Sequence, residues 1–294
     1  MNDTSNDPPA ALPPADLPVA RPAFDLPVTL PVTCAPIARA LPARFPQLST
    51  SRSDALIDLV LVAGLSLAFE AGLVITGVPE TLRTHWPDVG ILGVNALLGV
   101  FNLLLVFGAL HVRRQPLAVI GLDNPLKWRT LAAAALALPA CYAASMTGAL
   151  VYGAISGFDT EKMLAEKGDL ADLVAAIPIR YVLPFSLFVG IHEEILFRGF
   201  YLSRVRALSR SGIVAIIATS LVFGLLHFYQ GPLGICQTTA IGLVLAIIVT
   251  YARSLWPAII AHAAFDAANM LLLPWLMKTM KDLEPALTSA TSPV

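Results

Sequence analysis

Charge is scarce in this sequence. Asp, Glu, Lys and Arg make up 13% of its 294 residues, and the formal net charge is −1. Soluble domains carry about 25% charged residues, so this chain is too poor in charge to dress a large water-facing surface. The missing basic excess removes the electrostatic footprint of a nucleic-acid binder, and no nucleic-acid partner is expected. Cysteine is scarce too. Cys34, Cys141 and Cys236 are scattered without CxxC spacing, which excludes a disulfide framework and a zinc finger. They read as small apolar packing residues. Several catalytic signatures are also missing. His192-Glu193 does not begin HExxH, because Leu196 stands where the second His belongs. No GxSxG elbow and no G-x-x-x-x-G-K-[ST] loop occurs.

Apolar residues fill the gap, at 56% of the chain with a mean hydropathy of +0.73. The first fifty residues are a different kind of chain. Eleven of the 23 prolines lie between Pro8 and Pro46. Such a segment buries too little surface to fold, so 1–50 is expected to be a disordered Pro-rich tail. It is not a signal peptide, because Met1 to Asp7 is polar and acidic and no apolar run follows.

From Ala55 onward the sequence reads as membrane spans of roughly 20 residues each. Seven candidates appear, at about 55–77, 88–111, 130–153, 181–201, 213–229, 234–252 and 255–277. The expected fold is all-α, a polytopic transmembrane helical bundle of about seven spans in the lipid bilayer. Residues 51–178 would hold the N-terminal spans and a connecting loop. Residues 179–278 would form a catalytic membrane core, and 279–294 a disordered tail. The polar connection from Ser156 to Pro178 suits a short amphipathic helix. Trp86, Trp128, Trp256 and Trp275 sit near span ends, as interface anchors do.

Lys and Arg set the expected orientation. With seven spans, 13 of the 19 basic residues fall on the side of the N-terminal tail, Arg204 among them in the connection after the fourth span. The positive-inside rule then places the N-terminus in the cytoplasm. Ala- and Pro-rich usage without organelle signals points to a bacterial inner or cell membrane.

Ionisable groups within spans cost about 2.5–3.5 kcal/mol each on insertion scales and are functional candidates by default. Three groups stand out. The first is His192-Glu193-Glu194-Ile195-Leu196-Phe197-Arg198, in which His192 is expected to snorkel to the surface. Glu194 and Arg198 are four apart and share a helix face, while Glu193 is rotated about 100° away and left free for other work. The second is Phe223-x-x-x-His227. The third is His262-x-x-x-Asp266, with Asn269 one further turn along the same face. Depth brings them together. Glu193 lies 17 residues before Arg210 and His227 lies 17 after it, so an antiparallel hairpin sets both at one level. His262 enters from the same side, about 10 Å in at 1.5 Å per residue. Asp58, Glu70, Asn95 and Asn102, in the first two spans, read as structural hydrogen-bond partners.

Residue type suggests the chemistry. A Glu in an apolar site suits a general base near neutral pH. A neighbouring His can orient a water. A second His, with Asp266 or Asn269, can donate hydrogen bonds to an oxyanion as a carbonyl is attacked. Peptide-bond hydrolysis within or near the membrane fits these parts. A metal version is the alternative, since Glu with two His is a ligand set seen at catalytic zinc.

Glu193-Glu194-x-x-x-Arg198, Phe223-x-x-x-His227 and His262-x-x-x-Asp266 together resemble the CPBP family. Its members include type II CAAX prenyl endopeptidases and bacteriocin-processing or immunity proteins. The resemblance covers roughly residues 180–275, with a weaker likeness at Ile120-Gly121-Leu122. It implies an all-α intramembrane protease with its cavity open toward the cytoplasm. It also implies that Glu193 and His227 activate the water, while His262 and residue 266 form the oxyanion site. Glu194, Arg198, Phe223 and Asn269 would support them. A zinc version would place the metal on Glu193, His227 and His262. Substrates would be membrane-associated, prenylated or leader-type peptides. The family usually has Asn where this chain has Asp266. An ionised Asp repels an oxyanion, so Asp266 is protonated, orients His262, or yields the role to Asn269. A non-catalytic immunity or scaffolding relative is the second reading. A proton-coupled transporter is the third, weakened by the lack of an internal repeat.

Overall fold

The computed structural model describes residues 51–86, 90–123 and 127–291. The expectations for 1–50 and 292–294 lie outside the described residues. Among the described residues there are helices and turns and no strand. Ten α-helices follow one another: α1 Arg52–Ile75, α2 Val78–His85, α3 Gly90–Val112, α4 Trp128–Ser156, α5 Thr160–Ala175, α6 Ile179–Glu194, α7 Leu202–Ser209, α8 Gly212–Leu225, α9 Gly231–Ala252 and α10 Trp256–Thr291. A π-helical segment, Ile195–Tyr201, joins α6 to α7 without a break. Local chemistry starts and stops these helices. The side chains of Ser51, Asp159 and Ser211 cap the first turns of α1, α5 and α8. Gly157, at φ +79°, ends α4 in the left-handed conformation that L side chains resist.

Among the described residues five helices are long and apolar enough to cross a membrane: α1, most of α3, α4, α9 with the turn before it, and the first part of α10. They match the expected spans at 55–77, 88–111, 130–153, 234–252 and 255–277. The two others depart from expectation. The segment 181–201 lies within a helical run from 179 to 209, and it passes as a span only together with α5, across a bend of 108°. Its charged residues interrupt the apolar run. The segment 213–229 is α8, which ends at Leu225 after 14 residues. At 1.5 Å per residue that is about 21 Å, less than the roughly 30 Å hydrocarbon core. The Ser156–Pro178 connection carries the amphipathic helix expected of it, α5. α10 runs on past 278 to Thr291, through Pro285.

The bundle is a multi-pass membrane protein with an apolar exterior. Only 11% of the best apolar window of α1, and of α3, is buried, against 50% for α9. α9 is therefore the central mast, and α1 and α3 present most of their surface to lipid. α4 packs on α9 over the longest seam. There a Cβ on Gly148 would stand 2.6 Å from the Cys236 carbonyl oxygen and 2.7 Å from Gln237 Cα. Small residues allow such approach where lipid supplies no hydrophobic drive for helices to associate. Gln237 adds a polar link, donating from Nε2 to Ser145 Oγ at 3.0 Å.

A buried ionic network ties α1 to the rest. Asp58 accepts from Arg113 Nε at 2.9 Å and from Arg204 Nε at 3.3 Å. Arg204 also donates to Gln115 Oε1 at 2.6 Å and to Ser203 Oγ at 3.1 Å, and its guanidinium lies 4.3 Å from the Phe200 ring centroid. Arg204 was grouped with the loop charges by its sequence position, yet it is wholly buried. Asp58 plays the structural part expected of it, and Asn102 accepts from Ser66 Oγ at 2.6 Å.

Asp58→Ala strands Arg204 without its carboxylate. It is expected to cost about 3–5 kcal/mol, the penalty for breaking a buried pair. Ser66→Ala, which removes one interhelical hydrogen bond, is expected to cost about 0.6 kcal/mol. Unfolding in mild detergent reads both. An Asp58→Ala protein as stable as wild type would contradict the network's role.

Candidate active site

Three helix encounters build the site. The first is α6 against α10. Gly190 makes it possible, since a Cβ there would stand 3.1 Å from both the Ala263 amide nitrogen and the Ile259 carbonyl oxygen. His262 precedes Ala263, and Glu193 and Glu194 follow Gly190 by three and four residues. One close backbone approach therefore seats the imidazole against both carboxylates.

Glu194 is the hub. It has no exposed surface, and its Oε1 accepts from Arg198 Nη1 at 2.7 Å and from His262 Nδ1 at 2.8 Å. Arg198 is in turn buried against α8 and α9. Its guanidinium lies 4.1 Å from the Phe223 ring centroid, and a Cβ on Gly242 would meet its Nη2 at 3.2 Å. A cation over an aromatic face gains electrostatic attraction that strengthens on desolvation. Phe223 walls the site as well, at 4.6 Å from the His227 ring and edge-on to His262 at 6.0 Å.

His262 uses its other nitrogen differently. Nε2 stands 3.7 Å from Glu193 Oε2 and 3.5 Å from Asp266 Oδ2. Neither distance is a hydrogen bond. Glu193 Oε2 is buried and has no hydrogen-bond partner in the fold. The two glutamates thus divide as their spacing predicts, one holding the structure and one unengaged. Exposure separates them too. The Glu193 and Asp266 side chains keep 17% and 22%, against 0% for Glu194 and 7% for His262. The unengaged carboxylates are the ones a substrate can reach.

His227 follows α8, where the short helix gives way to the turn Phe228–Gln230. Its Nδ1 donates to the Phe223 carbonyl at 2.7 Å, which leaves Nε2 outward as an acceptor in the neutral ring. It lies within electrostatic reach of Glu193, as does His262. The structure thus draws Glu193, Glu194, Arg198, Phe223, His227, His262 and Asp266 into one cluster. Asn269 takes no part in it, because its amide donates back to the Phe265 carbonyl at 2.7 Å.

Two residues near the site escaped the sequence reading. His192, which its position suggested would reach the surface, is buried. Its Nδ1 donates to the Phe188 carbonyl at 3.1 Å, and a Cβ on Gly99 of α3 would press on its ring at 3.0 Å. Tyr229 stands in the turn after α8, its ring 5.9 Å from that of His227, and its hydroxyl accepts from Gln230 Nε2 at 3.1 Å. A signal was present, since Tyr229 lies two residues beyond His227, but a lone aromatic near a span end reads first as an interface anchor.

Among the described residues no set of three His, Cys, Asp or Glu side chains is arranged to hold an ion.

Glu194→Gln removes the counter-charge of a buried arginine and is expected to cost about 3–5 kcal/mol. Glu193→Gln alters a carboxylate without a hydrogen bond and should cost less than about 1 kcal/mol. Thermal unfolding of the two variants side by side checks the division, and equal losses would refute it.

Residues 175–268 match the family model described as type II CAAX prenyl endopeptidase Rce1-like. No curated protein and no solved structure matches the chain. The matched stretch contains Glu193, Glu194, Arg198, Phe223, His227, His262 and Asp266, all three motifs in order. Residues 175–268 are thus similar to the type II CAAX prenyl endopeptidase Rce1-like family, within the CPBP family that the three motifs resemble.

Proposed function

We propose that this protein is an intramembrane endopeptidase that hydrolyses a peptide bond in a membrane-associated, prenylated or leader-type peptide. The observation that carries the reading is the Glu193 carboxylate, which makes no hydrogen bond in the fold and has a buried Oε2 3.7 Å from His262 Nε2, within electrostatic reach of His227. A buried carboxylate left unsatisfied is costly, and a general base is a role in which that cost has a use.

The steps follow from the hydrogen bonds. A water donates one hydrogen to Glu193 and the other to Nε2 of His227, whose tautomer is set by its bond to the Phe223 carbonyl. As the water oxygen bonds to the substrate carbonyl carbon, Glu193 takes the proton. The carbonyl oxygen becomes an oxyanion and accepts a hydrogen bond from His262. For Nε2 to donate while Nδ1 donates to Glu194, the ring carries both protons, and the Glu194 carboxylate is the counter-charge. The tetrahedral intermediate collapses, the carbon–nitrogen bond breaks, and Glu193 returns its proton to the leaving amine. Asp266, 3.5 Å from Nε2, orients the imidazolium at rest. The apolar helices around the site raise the worth of each interaction by lowering the local dielectric.

With a prenylated CAAX-type peptide in detergent, Glu193→Gln is expected to lower kcat about 10²–10⁴-fold, the range a general base supplies, while the protein stays folded. Cleavage is expected to persist with a chelator. Activity lost to the chelator and restored by zinc would recast Glu193, His227 and His262 as ligands. Wild type and Glu193→Gln that behave alike would move the protein to the non-catalytic reading.

A further inference from the structure

An oxyanion formed in this site needs more than one hydrogen-bond donor, and the described side chains around it narrow the choice. His262 supplies one from Nε2. Asp266, when ionised, is an acceptor and cannot serve. The Asn269 amide is spent on the Phe265 carbonyl, and Arg198 lies beneath Glu194, closed in by Phe223 and Gly242. Tyr229 remains. Its ring neighbours the His227 ring at 5.9 Å, and both Glu193 and Asp266 lie close enough for their charges to act on its hydroxyl.

Its hydroxyl is prepared to donate. The oxygen already accepts from Gln230 Nε2 at 3.1 Å, and no described residue accepts its hydrogen. A hydroxyl that accepts one hydrogen bond donates a stronger one, because the bonds polarise each other. Tyr229 is also open, with 60% of its surface exposed, so an incoming peptide can reach it. The turn that carries it is anchored from outside the motif helices. Glu166 of α5 accepts from the Leu233 amide at 3.0 Å and from the Tyr152 hydroxyl at 3.0 Å. A Cβ on Gly231, directly after the turn, would stand 2.8 Å from the same Glu166 carboxylate. The turn is thus clamped between α5 and the start of α9.

We infer that Tyr229 is a further catalytic residue, donating from its hydroxyl to the carbonyl oxygen as it becomes an oxyanion, opposite the donor on His262. The inference rests on the endopeptidase reading. It also gives Asp266 a role as counter-ion to His262 rather than as a donor to the intermediate.

The test is steady-state cleavage of a prenylated CAAX-type peptide by purified full-length protein. Wild type, Glu193→Gln, Tyr229→Phe and Gln230→Leu are compared, with unfolding midpoints recorded for each. Tyr229→Phe keeps the ring and loses only the hydroxyl. It is expected to lower kcat about 10²–10³-fold, the loss seen when one oxyanion donor is removed, with KM and the unfolding midpoint unchanged. Gln230→Leu keeps the hydroxyl but removes the amide that polarises it, and is expected to lower kcat less, again without a change in KM. An interfacial tyrosine would tolerate Phe with kcat unchanged. That result overturns the inference while cleavage by wild type and its loss in Glu193→Gln uphold the protease. A rise in KM alone also overturns it, because it marks a binding contact. Wild type that cleaves no better than Glu193→Gln removes the protease reading, and the inference with it.

Discussion

The site depends on a single buried oxygen. Oε1 of Glu194 receives both Arg198 and His262, and so joins the α6 run to α10 through one charge-assisted cluster. Putting a carboxylate and a guanidinium into an apolar interior costs several kcal/mol per ion, which their attraction repays only if the geometry is good and further hydrogen bonds are made. The third partner, His262, helps meet that condition. The same geometry fixes the imidazole: with Nδ1 engaged, Nε2 must face Glu193 and Asp266. Stability and chemistry are therefore coupled at this carboxylate, and neither Arg198 nor His262 can be altered without disturbing the other.

Around this cluster the molecule is built inside out, with polar groups at the centre and bulky aliphatic side chains outside. Lipid is as apolar as Leu, so helices do not associate to escape water. Close backbone packing and buried polar bonds carry the load instead. Gly148 lets α4 meet α9, and Gly190 lets α6 meet α10. The Ile120-Gly121-Leu122 segment gains a meaning in this light. Gly121, at φ +78°, turns the chain so that its carbonyl accepts from the Leu255 amide at 3.0 Å, just before α10 begins. The start of α10, and hence the depth of His262, is set by that turn.

Much of the site was legible because helical spacing is local. Residues four apart meet, so Glu194 with Arg198 and His262 with Asp266 follow from position alone. Equal distances from a hairpin turn set Glu193 and His227 at matching depth. The misread features depend on tertiary packing. Arg204 looked like a loop charge, and only its partners Asp58 and Gln115, far away in sequence, make it a buried residue. His192 looked bound for the surface because nothing in its own helix shows that Gly99 of α3 covers it. α8 looked like a full span because Phe228 and Tyr229 extend its apolar run, while the backbone turns after Leu225.

The π segment reconciles the two polar networks. Glu194 and Arg204 are ten residues apart on one uninterrupted helical run. In a plain α-helix at about 100° per residue, they would point roughly 80° apart, toward the same half of the helix surface. A π-helix turns more slowly, roughly 80° per residue given its i→i+5 bonds, so the seven residues Ile195–Tyr201 withhold about 140° of rotation. Arg204 then points roughly 140° from Glu194, close to the opposite face. One face meets α10 and the Glu194–His262 cluster, and the other meets α1 at Asp58. All seven π residues are buried, as they must be where a single run of helix is held on both sides. A π turn sacrifices regular hydrogen-bond geometry and survives where the surroundings demand it. Here the demand is for two ionic anchors facing opposite ways within ten residues, one fixing the bundle and one fixing the site.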